Sequence, residues 1–239
     1  QRIPLSHIVG KQPAQRTSPS VGPTPDQPTE KDFRPTTLHL PRVFGDHMVL
    51  QAEAEIPVWG HAKAGAKVIV ALGGESQTAT ADQAGQWRVR LKPRAVSANP
   101  STMLIQSVDE RIELKDVLIG EVWVCAGQSN MEWMLRQSAH GKEELGRLSL
   151  GEGDASFAER KATIRLLDLR GGARGSSGSY RAEHLARLTP ETCCDGQGEL
   201  ASTESAQNFS AVGWYFGRHL QQHLKVPVGL ICPAVGGTP

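Results

Sequence analysis

A serine stands just after a short apolar run near the middle of the chain. The run Val122–Cys125 is typical of a buried strand, Gly127 permits a tight turn, and Ser129 then falls where a helix can begin. Catalytic groups of α/β proteins gather at the carboxyl ends of such strands, where a helix start also favours developing negative charge. The spacing therefore predicts a nucleophile, although the commoner role of a serine at this position is a helix N-cap. Met131 replaces the last glycine of the Gly-x-Ser-x-Gly nucleophile elbow.

No histidine has a spacing that assigns it as the general base. His219 and His223 lie four residues apart on a predicted helix, but no glutamate stands between them as in a His-Glu-x-x-His zinc motif. We interpret both as solvated helix residues. His47 and His140 have no spacing that argues for a role.

The charge and the cysteines do not favour a nucleic-acid or metal function. The net charge is +1, with 26 Lys and Arg against 25 Asp and Glu, so the single Arg-Gly segment at 170–175 is better interpreted as a loop than as an RNA-binding element. Cys125 and Cys232 end apolar runs and are predicted to be small core residues. Cys193 and Cys194 lie in a polar loop without a second metal-ligand pair.

The sequence pattern changes twice along the chain and so divides it into three segments, of which the last contains Ser129. Residues 1–36 hold seven of the fifteen prolines and no apolar periodicity, which predicts a disordered Pro-rich tail or linker. Residues 37–115 alternate apolar and polar positions, as in Trp87–Lys92, and are punctuated by glycines, which predicts a β-sandwich-like domain. Its last strand is expected at Ile112 to Lys115.

Residues 116–239 have the pattern of the first part of an α/β domain. Strands are predicted at 117–126, 162–167 and 228–232, and a helix at 208–224. The helix is expected to bury an apolar stripe, made of Phe209, Val212, Phe216, Leu220 and Leu224. Trp123 and Trp214 are expected to pack in the core, and Trp133 is unassigned. Because an open doubly wound sheet has about five strands, this domain is predicted to be incomplete.

Several blocks together resemble the sialate O-acetylesterase family of the SGNH hydrolases. The first is Gly127-Gln128-Ser129-Asn130-Met131 with its flanking Gly-Glu-Val-Trp-Val-Cys. The others are Leu40–Gln51, Pro57–Gly60, Asn208–Arg218 and Val226–Ile231, which runs into Gly236–Pro239. The resemblance covers most of residues 38–239. It implies an SGNH-hydrolase-like, flavodoxin-like three-layer α/β domain, here incomplete, preceded by a small all-β sandwich-like domain.

The resemblance implies a carbohydrate O-acetylesterase. Ser129 is then the nucleophile that forms an acetyl-enzyme, and its own N–H together with Gly236 and Gly237 are candidate oxyanion-hole donors. The implied partner is an O-acetylated carbohydrate, with no nucleic acid, no membrane span and no metal or organic cofactor. The implied location is secreted or periplasmic. Which acetylated sugar is the substrate, and the oligomeric state, are left open by the sequence.

The family's later blocks have no match in this sequence. Its Asn-containing block and its closing Asp-x-x-His, which supplies the acid and base, are expected beyond Pro239, and without a base the chain as given is predicted to be nearly inactive. The alternative is a non-catalytic carbohydrate-binding module or a pseudoenzyme. No stretch approaches the roughly 20 apolar residues of a membrane span.

Overall fold

A mixed β-sheet of eight strands, with a smaller two-stranded sheet beside it, organises the structure. The computed structural model describes residues 37–108, 110–150, 163–169, 198–234 and 236. The strands are β1 (Val49–Gln51), β2 (Ile56–His61), β3 (Lys67–Leu72), β4 (Glu75–Thr80), β5 (Gln86–Leu91), β6 (Ser97–Ser107), β7 (Glu110–Val124), β8 (Ile164–Asp168), β9 (Gly198–Leu200) and β10 (Val228–Cys232). The helices are α1 (Ser129–Glu132), α2 (Gly141–Leu150), α3 (Thr203–Gln207) and α4 (Ala211–Leu224), with a 3₁₀ turn at Leu135–Gln137.

The large sheet has an antiparallel half and a parallel half. Its order is β4-β3-β6-β7-β10-β8-β9, with β1 parallel to β7. Strands β4, β3, β6 and β7 are joined antiparallel, whereas β10 is parallel to both β7 and β8. Strands β2 and β5 form the small antiparallel sheet. The parallel pairing brings the carboxyl ends of β7, β8 and β10 to one edge.

One hydrophobic cluster lies between the small sheet and the antiparallel half. Alternate residues of β3 and β5 are buried, as their period of two predicts. The buried residues from these two strands are Val68, Val70, Leu72, Trp87, Val89 and Leu91. The predicted alternation is therefore confirmed in both strands.

Strand β7 is longer than the sequence indicates. Two strands were expected, one ending at Lys115 and one beginning at Val117, but a single strand of 15 residues runs from Glu110 to Val124. Asp116 has a φ of +53° and locally distorts the strand without ending it. The same strand therefore contributes Leu114, Val117 and Ile119 to the first cluster and leads into Cys125 of the second.

The second hydrophobic cluster lies between α4 and the parallel half of the sheet. Trp214 is buried as predicted, but the predicted apolar stripe is wrong for Val212, Phe216 and Leu224, which are exposed. The buried face instead presents Gly213 and Gly217, because the helix approaches the sheet so closely that a Cβ on Gly217 would collide with Leu230 of β10. Small residues, together with Trp214, therefore mark the packed side of this helix.

An ion-pair cluster ties β7 to β8. The Asp116 carboxylate accepts hydrogen bonds from Arg165 at 2.9 Å and lies 2.6 Å from Nδ1 of His47. Arg165 is buried, and desolvation lowers the pKa of its guanidinium, an effect that the nearby Asp116 opposes. A buried cation of this kind is tolerated because a carboxylate faces it.

Several predictions concern residues outside the described ranges. These are the tail at 1–36, the Arg-Gly segment at 170–175 and the cysteines at 193 and 194. Within the described residues, no helix has the length and apolar character needed to cross a membrane.

Candidate active site

The chain turns sharply between β7 and the nucleophile candidate. Cys125 donates its N–H to the carbonyl of Ile231 at 2.7 Å, which extends the pairing of β7 with β10 by one residue. Gly127 follows, and a Cβ at this glycine would stand 2.9 Å from Cβ of Met131. A side chain would not fit there, so glycine allows α1 to start immediately after the strand.

Ser129 is the first residue of α1 and is exposed. The N-cap of the helix is Gln128, and no side-chain capping hydrogen bond is present. The N-cap interpretation of Ser129 is therefore wrong. The hydroxyl lies at the carboxyl edge of the sheet, where it can meet a ligand that approaches from solvent.

The segment after Ser129 is fixed to the segment that precedes α4. Leu135 donates its N–H to the carbonyl of Phe209 at 2.9 Å, and Ala211 donates its N–H to the carbonyl of Trp133 at 2.7 Å. Ser210 caps α4 by accepting the N–H of Gly213, while its Oγ lies 3.2 Å from Sδ of Met131. Two distant motifs of the sequence, around Ser129 and around Ser210, thus meet in one place.

Gly236 lies beside Ser129 at the carboxyl end of β10. A Cβ built on Gly236 would stand 3.3 Å from Oγ of Ser129. The N–H of Gly236 donates to Oε2 of Glu132 at 2.9 Å. The structure therefore brings two of the predicted site residues together, whereas Gly237 lies outside the described residues.

Gln51 secures the strand that leads to Ser129. Its Oε1 accepts the N–H of Val122 at 3.0 Å, two residues beyond Gly120, where the pairing of β1 with β7 ends. The side chain thus takes the place of a strand that would continue β1. The sequence analysis did not predict the contacts of Gln51 and Glu132, because no motif or spacing distinguishes either residue from an ordinary polar residue.

Two buried thiols lie under the turn that carries Ser129. Cys125 and Cys232 are both buried, which confirms that they are small core residues. Burial, and to a smaller extent the neighbouring Cys232, raise the pKa of Cys125 to about 11. The Cys125 thiol is therefore neutral at physiological pH and adds no charge beneath the site.

The described residues contain no general base for Ser129. No side chain in the described part of the chain forms a hydrogen bond with the Ser129 hydroxyl. His219 and His223 are exposed on α4, as predicted, and His223 Nδ1 lies 2.9 Å from the carbonyl oxygen of His219. His47 faces Asp116, and His140 lies on the surface near Glu143. Activation of the serine requires a group that these ranges do not provide.

Two further features are an exposed tryptophan near the end of β7 and an apolar cavity. Trp123 was expected to pack fully but is 43% exposed, and its ring meets that of Phe216 edge-on at 5.1 Å. A cavity of about 200 Å³, lined by Phe44, Trp59, Arg165 and Ile231 among others, does not include Ser129 or Gly236. Because neither the proposed nucleophile nor Gly236 lines this cavity, we do not assign the reaction to it.

Comparison with known proteins confirms the predicted resemblance. The chain is 32% identical to the sialate O-acetylesterase of Homo sapiens over 212 residues and 31% identical to that of Rattus norvegicus over 206 residues. These matches cover 82% and 81% of this chain but only 36% and 35% of the relatives, so the chain spans about a third of their length. No protein-family model matches it.

A solved structure shares the fold. The chain superposes on a carbohydrate acetylesterase from Xanthomonas citri with a TM-score of 0.67 and 31% sequence identity, covering 85% of this chain and 41% of that one. The chain thus has a mixed α/β fold that resembles a carbohydrate acetylesterase.

Proposed function

We propose that this chain is the nucleophile-bearing part of a carbohydrate O-acetylesterase. The observation that carries the proposal is the approach of Gly236 to Ser129, which puts a backbone N–H donor and a hydroxyl at one edge of the sheet. The sialate O-acetylesterases and the carbohydrate acetylesterase that the chain resembles support the choice of an acetyl ester on a sugar. An exposed serine is accessible to such a polymer or glycan end.

The proposed reaction has two acyl transfers. The Ser129 oxygen attacks the acetyl carbonyl as a base removes its proton, and a tetrahedral oxyanion forms. Collapse of this intermediate breaks the ester bond, so that the sugar hydroxyl leaves with a proton and acetyl-Ser129 remains. Water then attacks the acetyl-enzyme, acetate leaves, and the serine regains its proton. The backbone N–H groups of Ser129, Gly236 and Gly237 are the proposed donors to the oxyanion.

The proposed base lies outside the described residues. A serine without a base reacts slowly, because its hydroxyl is almost entirely protonated at neutral pH. We therefore expect residues 1–239, purified by themselves, to hydrolyse acetyl esters at rates near background. Robust hydrolysis by this polypeptide, lost on Ser129→Ala, would show that a base is present within it.

The proposal includes the domain organisation and the location. Residues 37–115 are proposed as a β-sandwich-like domain and residues 116–239 as the first part of an SGNH-hydrolase-like domain. The two separate hydrophobic clusters support this division, although β7 runs from the first cluster directly into Cys125 of the second. Secretion or export to the periplasm is proposed from the resemblance to the sialate O-acetylesterases, and fractionation of expressing cells tests it.

Covalent labelling tests the role of Ser129. The native protein is treated with a fluorophosphonate, and the modified residue is located by mass spectrometry. We expect modification of Ser129 and loss of labelling in Ser129→Ala, whereas Ser149→Ala, at an exposed position of α2, should label normally. Acetate release from O-acetylated sialic acid and from acetylated xylan then separates the substrate classes. A preparation that releases acetate without labelling Ser129 would refute the assignment.

A non-catalytic carbohydrate-binding protein or pseudoenzyme is the second candidate function. The observation that favours it is the lack, among the described side chains, of any hydrogen-bond partner for the Ser129 hydroxyl. It predicts that the native protein binds acetylated glycans on an array and releases no acetate from them. Acetate release by the native protein would eliminate this alternative.

A further inference from the structure

The carboxylate of Glu132 accepts the N–H of Gly236, which the proposed reaction needs as a donor to the oxyanion. Glu132 is the last residue of α1, three positions after Ser129, and its Oε2 accepts the Gly236 N–H at 2.9 Å. The same oxygen lies against the position that a Cβ of Gly236 would fill, with Oγ of Ser129 at 3.3 Å from that position. The nucleophile, the amide and the carboxylate thus converge on one small region.

An oxyanion and the Glu132 carboxylate would compete for one donor. Hydrogen bonds to an ionised acceptor are about twice as strong as those between neutral groups, so the carboxylate holds the Gly236 N–H firmly. A second negative charge beside it would be repelled, and the repulsion is larger where water is excluded. The amide stabilises the oxyanion only when the carboxylate has moved away from it.

The contact also fixes where Gly236 stands. Glu132 is half-buried, and α1 is itself attached to the segment before α4 by the backbone bonds of Trp133 and Leu135. Because Glu132 and Ser129 belong to the same helix, the hydrogen bond to Glu132 attaches the Gly236 turn to the helix that carries the nucleophile. Without this contact, the described hydrogen bonds would not join the Gly236 turn to the nucleophile helix.

We infer that Glu132 is a positioning residue that holds the Gly236 turn beside Ser129 in the resting protein and must release the Gly236 N–H for acyl transfer. This inference rests on the proposed function, because it assigns Gly236 as a donor to the oxyanion. It adds a step before the chemistry, in which the Glu132 side chain rotates and the arriving carbonyl oxygen takes its place.

The variant Glu132→Gln tests whether the carboxylate competes with the oxyanion for the Gly236 N–H or only holds the Gly236 turn in place. Glutamine keeps a carbonyl oxygen that can accept the Gly236 N–H, but it removes the negative charge and weakens the bond. We expect the second-order rate of Ser129 labelling by a fluorophosphonate to rise about threefold to tenfold in the native protein, a change that follows from weakening one charge-assisted bond. Glu143→Gln, on the exposed surface of α2, is the matched control with the same loss of charge.

An NMR measurement tests the contact independently of activity. Labelling with ¹³C-carbonyl valine and ¹⁵N glycine selects the amides of Val-Gly pairs, of which this sequence has five, including Val235-Gly236. The chemical shift of an amide depends on whether its acceptor is a carboxylate or a neutral oxygen. We expect the Gly236 amide to have a different chemical shift in the wild type and in Glu132→Gln, while the other four Val-Gly amides serve as internal controls.

The outcomes distinguish this inference from the proposed function. A wild-type protein whose Ser129 is not labelled, although acetate is released, refutes the proposed function. A wild type that labels at Ser129, with Glu132→Gln labelling at the same rate or more slowly, refutes the release step and leaves the function standing. A Gly236 amide with the same chemical shift in both proteins refutes the contact itself. Matching melting temperatures of the three proteins exclude misfolding as the cause.

Discussion

Oγ of Ser129 and the α-carbon of Gly236 face each other so closely that a single methyl group on the glycine would stand 3.3 Å from the hydroxyl. The two residues come from loops that follow different strands, β7 and β10, and their approach depends on the parallel pairing of those strands. The distance leaves room for a small planar group and for little more.

Gly236→Ala should therefore impair the site without unfolding the protein. The added methyl would displace Oε2 of Glu132, and it would still stand 3.3 Å from Oγ of Ser129, in the space that an arriving acyl oxygen needs beside the Gly236 N–H. We expect the rate of Ser129 labelling in the native protein to fall at least tenfold, a typical loss for one oxyanion donor being larger still, about 100-fold. Gly146→Ala, where nothing lies within 4 Å of the new methyl, is the control. Unchanged labelling of Gly236→Ala would mean that this amide takes no part.

The packing of α4 on β10 predicts opposite effects for two helical glycines. A methyl at Gly217 would run into the Leu230 side chain, whose Cδ2 stands 2.8 Å from the new atom, whereas Gly146 of α2 faces open space. We expect Gly217→Ala to lower the free energy of unfolding by about 1–3 kcal/mol through overpacking. Gly146→Ala should raise it by about 0.5–1 kcal/mol through helix propensity. Urea unfolding followed by circular dichroism measures both, and a stabilised Gly217→Ala would show that the helix can move outward at no cost.

The Asp116 carboxylate is expected to contribute strongly to stability. Arg165 is 5% exposed, so removal of the Asp116 charge takes away a negative partner from a cation in a poorly solvated place. Asparagine tolerates the left-handed conformation at this position, with a φ of +53°, and thus changes the charge while keeping the backbone. We expect Asp116→Asn to cost about 3 kcal/mol in the free energy of unfolding.

A surface pair provides the comparison for Asp116. Arg111 and Glu113 form an ion pair at 3.2 Å in which both side chains are exposed, so Glu113→Gln should cost less than about 1 kcal/mol. Equal losses for the two variants in denaturant melts would contradict the importance assigned to burial at Arg165.

The Cys125 thiol predicts a loss of stability in alkaline solution. Its pKa is about 11 in the folded protein against an ordinary value of 9.0. Below pH 9 the thiol is protonated in both states, so its stabilising effect is fully present. Between pH 9 and 11 mainly the unfolded chain loses the proton, and stability falls by about 2 kcal/mol over this interval.

A variant without the thiol isolates this effect from other alkaline titrations. The free energy of unfolding is measured at pH 8 and pH 10.5 for the wild type and for Cys125→Ala. We expect the wild type to lose more stability than the variant over this interval. Parallel losses would show that the Cys125 thiol ionises as easily in the folded protein as in the unfolded chain.

The sequence predicted the elements whose periodicity reflects their own burial. Strands β3 and β5 alternate because one face of each lies against the same core, and this signal is local. Strand β4 was not predicted, since Ser76, Gln77 and Thr78 carry no apolar alternation and its place depends on pairing with β3. The buried face of α4 was misjudged because Gly213 and Gly217 are recognisable as contact positions only when the sheet is present.

The sequence was sufficient to predict the nucleophile of the candidate site but not the side-chain contacts around it. Ser129 follows an apolar strand and a glycine, a pattern that sequence shows directly, and Gly236 was found through family resemblance. The contact between Glu132 and Gly236 joins residues 104 positions apart, so no local pattern reports it. The pairing of His47 with Asp116, 69 positions apart, was hidden in the same way.

Strand β7 connects the two hydrophobic clusters without a break. Its 15 residues enter the first hydrophobic cluster at one end and lead directly to the Ser129 turn at the other, with no linker between. A hinge motion between the cores would have to break the strand's own hydrogen bonds to β6, β1 or β10. Opening and closing around Ser129 must therefore come from side chains and turns, and mechanical load on one core is transmitted to the nucleophile.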